Sequence, residues 1–269
     1  MCAAASPLSQ CAQFSADQAQ QASGASLVNY LRGQRGNEDR AENLQRLFRQ
    51  REHVLGALIN AQPVYVGPPA FRYADENYGL FRDEQAAQRK SMVYAAANDG
   101  MLHAFNATNG HEEWAFIPPA VLPELIKLAD FNLATTFRYL LDGSPVVGDI
   151  CSSAPASQCD KTQWRTILVG GLAGGGRQYY ALDITDPDNP KALWVYGVDQ
   201  DPNLGYTHGK PLITKRVDGR WVVVFTSGYN NISPGDGMGY LYVVDATTGM
   251  LLEKISTNSG SVEDRKSVV

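Results

Sequence analysis

A chain of 269 residues is long enough to bury a real core in one large or two medium domains. Its 44% hydrophobic and 19% charged residues are those of a soluble globular protein, and a formal net charge of -5 argues against a nucleic-acid partner, whose phosphates demand a basic face. No apolar run approaches the ~20 residues needed to cross a bilayer, so no membrane span is expected.

Residues 1–60 read as a helical N-terminal segment. Met1-Cys2-Ala3-Ala4 lacks the basic and apolar stretches of a signal peptide, and the true start is expected upstream. Ser15-Ala16-Asp17-Gln18 has the form of a capping box, opening a helix expected to end near Gly33. Leu44, Leu47, Phe48, Val54, Leu55, Leu58 and Ile59 recur at helical spacing and predict a second helix. The arginines between Arg32 and Arg51 alternate with Glu38, Asp39, Glu42 and Glu52, which reads as a solvated face.

From Pro63 the texture changes to short apolar strands separated by Gly, Asn, Asp and Pro, and a repeat decides the fold. A proline followed by a short apolar run occurs at Pro63-Val64-Tyr65-Val66, Pro145-Val146-Val147 and Pro211-Leu212-Ile213. A buried strand follows, as in Met92-Val93-Tyr94-Ala95-Ala96, Thr166-Ile167-Leu168-Val169 and Trp221-Val222-Val223-Val224-Phe225. A third comes next, as in Leu102-His103-Ala104-Phe105, Tyr180-Ala181-Leu182-Asp183 and Leu241-Tyr242-Val243-Val244-Asp245. A closing strand ends each unit at Trp114-Ala115-Phe116, Leu193-Trp194-Val195-Tyr196 and Leu251-Leu252-Glu253.

Asp183 and Asp245 suit Asx-turns, Gly110 and Gly249 supply positive φ, and a proline at a strand's first position costs no ladder hydrogen bond. The fold class is therefore mainly β: a partial β-propeller of about three four-stranded blades over residues 61–262, preceded by the short helical segment. Propellers close with about 4–8 blades, so truncation is expected. Residues 263–269, with Asp264-Arg265-Lys266-Ser267-Val268-Val269, resemble translated adapter sequence and read as a non-native tail.

Four cysteines fall in two close pairs, Cys2/Cys11 and Cys151/Cys159. Neither spacing is the C-x-x-C of zinc or redox sites. Two local disulfides of an exported protein are the expectation, with free thiols or a metal site as the alternatives.

Asn98-Asp99-Gly100-Met101-Leu102-His103-Ala104-Phe105, with Gly110 and Trp114 behind it, resembles the quinoprotein-type propeller repeat. Residues 27–260 as a whole resemble the C-terminal domain of the PilC/PilY family of type IV pilus biogenesis and tip-adhesion proteins. The matching segments include Leu31-Arg32-Gly33, Gln62-Pro63-Val64-Tyr65-Val66-Gly67, Trp114-Ala115-Phe116-Ile117-Pro118, Gly170-Gly171-Leu172 with Gly174-Gly175-Gly176, and Gly228-Tyr229-Asn230. The resemblance implies a non-enzymatic, exported protein at the pilus tip or cell surface. It implies pilin or minor pilins, and a host-cell or surface receptor, as partners. It also implies calcium in a carboxylate-rich loop, expected outside this stretch because no Asp-x-Asp-x-Asp loop occurs in it. Alternatives are a fragment of a quinoprotein dehydrogenase using pyrroloquinoline quinone, or a non-enzymatic envelope scaffold.

No catalytic residue and no cofactor-binding residue is assigned. Asp183, Asp186 and Asp188 form the best internal cation candidate, although a solvated turn explains them without a metal. Gly174-Gly175-Gly176-Arg177 lacks the Lys-Ser/Thr ending of a phosphate loop and reads as a tight turn. His103 is expected to be a hydrogen-bonded packing residue, and Asp99 a hairpin-turn residue rather than a general base. Trp114, Trp164, Trp194 and Trp221 are expected to pack between blades.

Overall fold

The computed structural model describes residues 2, 8–135, 137–153 and 159–260. The tail expectation for residues 263–269 lies outside the described residues, as do residues 154–158 of the loop between Cys151 and Cys159.

The Ser15 capping box forms: its hydroxyl accepts from the Gln18 N–H, and the Gln18 side chain accepts from the Ser15 N–H. The expected single helix is two, α1 (Ala16–Gln21) and α2 (Ala25–Leu31). Gly24 separates them at φ 60°, ψ -126°, a conformation open only to glycine, so the chain turns there. Leu8, Ala22, Tyr30, Leu47, Phe48 and Ala129 close a small core beneath this segment.

The second expected helix does not form. Among residues 32–63 the chain is irregular, and Leu44 is 95% exposed while only Leu47 and Phe48 of the predicted apolar face are buried. Three contacts replace the helical ladder. The Leu47 and Phe48 N–H groups both donate to the Asn37 carbonyl, and the Asn43 amide donates to the Arg35 and Glu38 carbonyls. Gly56 packs so closely on the next turn that a Cβ there would lie 2.2 Å from the Asp99 nitrogen. Helical spacing in a mixed sequence is a weak signal once side chains offer the backbone other partners.

Beyond Pro63 stand three four-stranded antiparallel sheets. Blade 1 comprises β1 (Val64–Val66), β2 (Met92–Ala96), β3 (Leu102–Asn106) and β4 (Glu112–Phe116). Blade 2 comprises β5 (Val146–Cys151), β6 (Trp164–Gly171), β7 (Gln178–Asp183) and β8 (Lys191–Gly197). Blade 3 comprises β9 (Leu212–Lys215), β10 (Trp221–Thr226), β11 (Met238–Asp245) and β12 (Leu251–Gly260). Each first strand begins immediately after Pro63, Pro145 or Pro211.

The repeat extends to fine geometry. A register shift interrupts the third-to-fourth strand ladder at Ala104/Phe105, at Ala181/Leu182 and at Val243/Val244. Just before each shift the third strand faces Trp114, Trp194 or Glu253. An Asx-turn follows each third strand, with Asn106, Asp183 or Asp245 accepting from the N–H of Thr108, Thr185 or Thr247.

Blades pack face to face, which is why the strands are apolar on both sides. Met92, Tyr94, Leu102, Leu168, Tyr180 and Leu182 fill the space between blades 1 and 2. Ile167, Tyr179, Trp194, Val223, Phe225 and Tyr242 fill that between blades 2 and 3. The Trp114 indole N–H donates to the Pro187 carbonyl of blade 2, and that of Trp194 to the Ala246 carbonyl of blade 3. Trp164 and Trp221 meet edge-on with ring centroids 6.0 Å apart.

The connection between β1 and β2 is a strap, residues 67–91, longer than the β5–β6 and β9–β10 connections of the other blades. It places Tyr78 and Phe81 against Trp164, with centroids 4.7 and 6.4 Å away, and Tyr73 against Trp221 at 5.1 Å. Asp75 pairs with Lys215, so a segment of blade 1 reaches blade 3 across blade 2.

Strand order gives the molecule two rims. The first carries the connectors entering β1, β5 and β9, the β2–β3, β6–β7 and β10–β11 turns, and the N-terminal segment. The second carries the strap, the Asx-turns and the β5–β6 loop.

Candidate functional site

On the first rim a cleft of about 260 Å³ opens between the N-terminal segment and blade 1. One wall is formed by Arg49 and the stretch from Arg51 to Ala57, the other by Leu128, Leu133, Phe137 and Arg138. Its shape is fixed by polar anchors beneath it. The Asn98 side chain donates to the Ala57 carbonyl and accepts from the Leu140 N–H, holding one wall and the chain just past the other to the β2–β3 turn. Asp142 accepts from the backbone and side-chain nitrogens of Asn60. Asp99 accepts from the Gly56 N–H at 2.7 Å and the Met101 N–H at 3.2 Å.

His103 completes the Asp99 anchor. Its Nε2 lies 3.1 Å from both Asp99 oxygens and its Nδ1 2.7 Å from Glu112 Oε1. Burial opposes the charged ring, but hydrogen bonds and charge from Asp99 and Glu112 outweigh it and raise the His103 pKa. The side chain is thus a hydrogen-bonded packing residue clasping a turn.

The N-terminal wall rests on a buried carboxylate. Arg51 Nε and Arg40 Nε each lie 2.7 Å from Glu38, and the other Arg51 nitrogens donate to the Tyr30 and Gln34 carbonyls. Burial would raise the Glu38 carboxyl, yet the Arg40 and Arg51 hydrogen bonds hold it below its ordinary range. The expected solvated face is therefore corrected for Glu38 and Arg51, which are buried because they satisfy each other. A charge pair separated by 13 positions leaves no local pattern in the sequence.

On the second rim, Asp183, Asp186 and Asp188 border one open depression without converging on a point. Asp183 faces Arg165 at 3.3 Å, Asp188 pairs with Lys90, and Asp186 accepts from Asn189 and from the Asp188 N–H. Arg89 and Lys191 border the same depression. Each carboxylate already has its own donors, so this set does not fit a calcium ion, which needs six to eight oxygens. Among the described residues no cluster of three acidic, histidine or cysteine side chains is arranged to hold a metal.

The cysteines are joined as Cys2–Cys11 and Cys151–Cys159. Cys151 and Cys159 are both buried against the strap, and the Asn77 side chain donates to the Cys159 carbonyl. Close by is a network that sequence reasoning missed. Buried Asp149 accepts from Tyr78 Oη at 2.7 Å and Thr166 Oγ1 at 2.6 Å, and Arg89 donates to Thr166 and to the Gly67 carbonyl. Burial pushes the Asp149 carboxyl up against these bonds. Its one sequence signal is the aromatic density of the insert, Phe71, Tyr73, Tyr78 and Phe81. The Gly174-Gly175-Gly176 stretch is a turn leading into β7, and a Cβ on Gly175 would lie 2.0 Å from the Leu140 carbonyl oxygen.

Residues 55–265 match the family model described as the PilY1 beta-propeller domain. This chain belongs to the PilY1 β-propeller family. It is 37% identical over 244 residues to the type IV pilus biogenesis factor PilY1 of Pseudomonas aeruginosa, covering 88% of this chain and 19% of that protein. A PilY1 homolog of Xylella fastidiosa is 38% identical over 232 residues, covering 84% of this chain and 18% of the relative. The crystal structure of the P. aeruginosa PilY1 C-terminal domain superposes with a TM-score of 0.58 at 35% identity, over 72% of this chain and 37% of that one. The chain thus spans about a fifth of the length of the curated PilY1 relatives. The PilY1 match begins at Leu55, inside the first-rim cleft, so the cleft joins the family propeller to the segment before it.

Proposed function

We propose that this chain supplies part of the propeller of a type IV pilus biogenesis factor. It acts by binding rather than by catalysis, exported to the cell surface or pilus tip, with pilin or minor pilins and a surface receptor as partners. The observation that carries the reading is the family match over residues 55–265, together with the pilus biogenesis name of relatives at 37–38% identity. Two disulfides support an oxidising compartment. No helix among the described residues is long and apolar enough to cross a membrane. Asn98 and Asp99 on the first rim and Asp183 on the second are engaged as anchors and Asx-turns, which suits a scaffold presenting loops. Calcium is assigned to none of the described residues.

Deleting the gene in its host should abolish surface pili and twitching motility, and a plasmid copy should restore both. Normal piliation in the deletion strain would overturn the reading.

A further inference from the structure

We propose that the first-rim cleft is a docking groove for a short acidic, apolar peptide segment of a partner protein. Val54 and Leu55 on one wall are 40% and 42% exposed, and Phe137 on the other is 48% exposed. Large apolar side chains left open on two facing walls, above a floor of Leu31 and Leu128, form a concave apolar surface. The strip continues beyond the cleft. Leu58 and Tyr139 are also exposed, and they follow Ala57 and precede Leu140, the two residues pinned by Asn98. Because Asn98 and Asp99 hold Ala57 and Gly56 of one wall, and Asn98 also holds Leu140 just past the other, binding spends little on ordering the groove.

Charge selects the occupant. Arg49 and Arg138 line the groove, and their guanidinium groups are not committed to a buried carboxylate. Arg49 donates to the Leu128 and Gln50 carbonyls, while Arg138 is 67% exposed with Glu124 at 3.7 Å as its carboxylate neighbour. Of the acids lining the groove, Asp99 is taken by Gly56, Met101 and His103, and Glu52 points into solvent at 91% side-chain exposure. The groove thus offers two guanidinium groups without a buried carboxylate partner, beside apolar walls, on a chain of net charge -5. Guanidinium groups recognise carboxylates through paired N–H donors, and the apolar walls take aliphatic or aromatic side chains between them. A cleft of about 260 Å³ holds a few side chains, which fits a linear segment and not a lipid surface. Peptide binding here is independent of whether the protein builds pili.

The test is fluorescence anisotropy of the full chain with a fluorescein-labelled DLFEL peptide, and with KLFKL and DSGES as controls. DLFEL is expected to bind saturably, with both controls at least tenfold weaker. Arg138→Glu and Phe137→Ser, both at exposed positions, are each expected to weaken DLFEL at least tenfold while leaving the circular dichroism spectrum and urea midpoint unchanged. No saturable DLFEL binding, equal binding of KLFKL, or equal affinity in both variants would overturn the proposal. Sedimentation of the full chain distinguishes a second copy as occupant: a dimer that Phe137→Ser dissociates and DLFEL does not would also overturn it.

Discussion

The indole of Trp194 lies across Gly249: its N–H donates to the Ala246 carbonyl at 2.9 Å, and a Cβ on Gly249 would sit 2.6 Å from its Cγ. The closing strand of blade 2 is pinned in this way to the last turn of blade 3. Gly249 also holds φ at 70°, so an alanine there meets backbone strain and overpacking together. Gly249→Ala is expected to lower unfolding stability by about 2–4 kcal/mol, and Trp194→Phe, which keeps most of the packing, by about 1–2 kcal/mol. Urea denaturation followed by tryptophan fluorescence reads both. A Gly249→Ala midpoint equal to that of the parent chain would show that the indole does not bear on this turn.

The strap depends on the buried Asp149 carboxylate. Tyr78→Phe preserves the ring against Trp164 but removes the hydroxyl donor to Asp149, leaving a buried carboxylate with one side-chain donor fewer. Such a loss costs about 1–3 kcal/mol. The Tyr78→Phe chain is therefore expected to be cut faster than the parent by a low dose of protease within residues 67–91, with blade 2 initially intact. Unchanged cleavage there would mean that the aromatic contacts alone hold the strap.

The blades were legible because their signals are local and recur. Prolines before Val64, Val146 and Leu212, Asx-turn residues at Asn106, Asp183 and Asp245, and tryptophans at Trp114 and Trp194 stand in the same order in each unit where they occur. The groove was not legible. Its wall at residues 49–57 has helical apolar spacing, but the irregular path is set by Asn98 and Asp99, more than 40 positions away. The strap showed only its aromatic density, since its partners Asp149, Trp164, Trp221 and Lys215 belong to other blades. Long-range polar partners override local periodicity wherever a segment lacks a sheet or helix of its own.

The Cys151–Cys159 bridge closes a loop of eight-residue separation at the strap's docking site. Chain-entropy arguments give about 2–3 kcal/mol for a loop of this size. The double variant Cys151→Ala, Cys159→Ala is expected to lose about that much in urea unfolding. Adding reductant should then destabilise the parent chain more than the double variant. Equal sensitivity would place the reductant's effect at Cys2–Cys11 instead.

Buried Glu38 serves both Arg40 and Arg51. Glu38→Gln keeps the shape but leaves the buried Arg51 guanidinium without its counter-charge, a loss of about 3–5 kcal/mol in comparable buried pairs. The N-terminal segment should detach first, seen as faster amide exchange in residues 34–52 than in the blades. Exchange rates matching the parent in that segment would show that the backbone carbonyl contacts of Arg51 suffice.

His103 makes the stability of the first rim depend on pH. Flanked by the Asp99 and Glu112 carboxylates, its ring is easier to protonate when folded than the ordinary value of 6.5, despite its burial. A base that gains proton affinity on folding contributes stability that is complete below its unfolded pKa and lost as pH rises through the higher folded one. The parent chain is therefore expected to lose unfolding stability as pH climbs from about 6.5 toward the alkaline side. His103→Gln, which retains a polar side chain but cannot titrate, should show a shallower slope over the same range. Deprotonation leaves one ring N–H for two carboxylates, so the Asp99 anchor on Gly56 loosens with it. Amide exchange at Gly56 should accelerate over that pH range beyond the intrinsic base-catalysed rate in the parent chain. Parallel pH slopes for the two proteins would show that folding leaves the proton affinity of the imidazole unchanged, and that Asp99 and Glu112 do not favour its charged form.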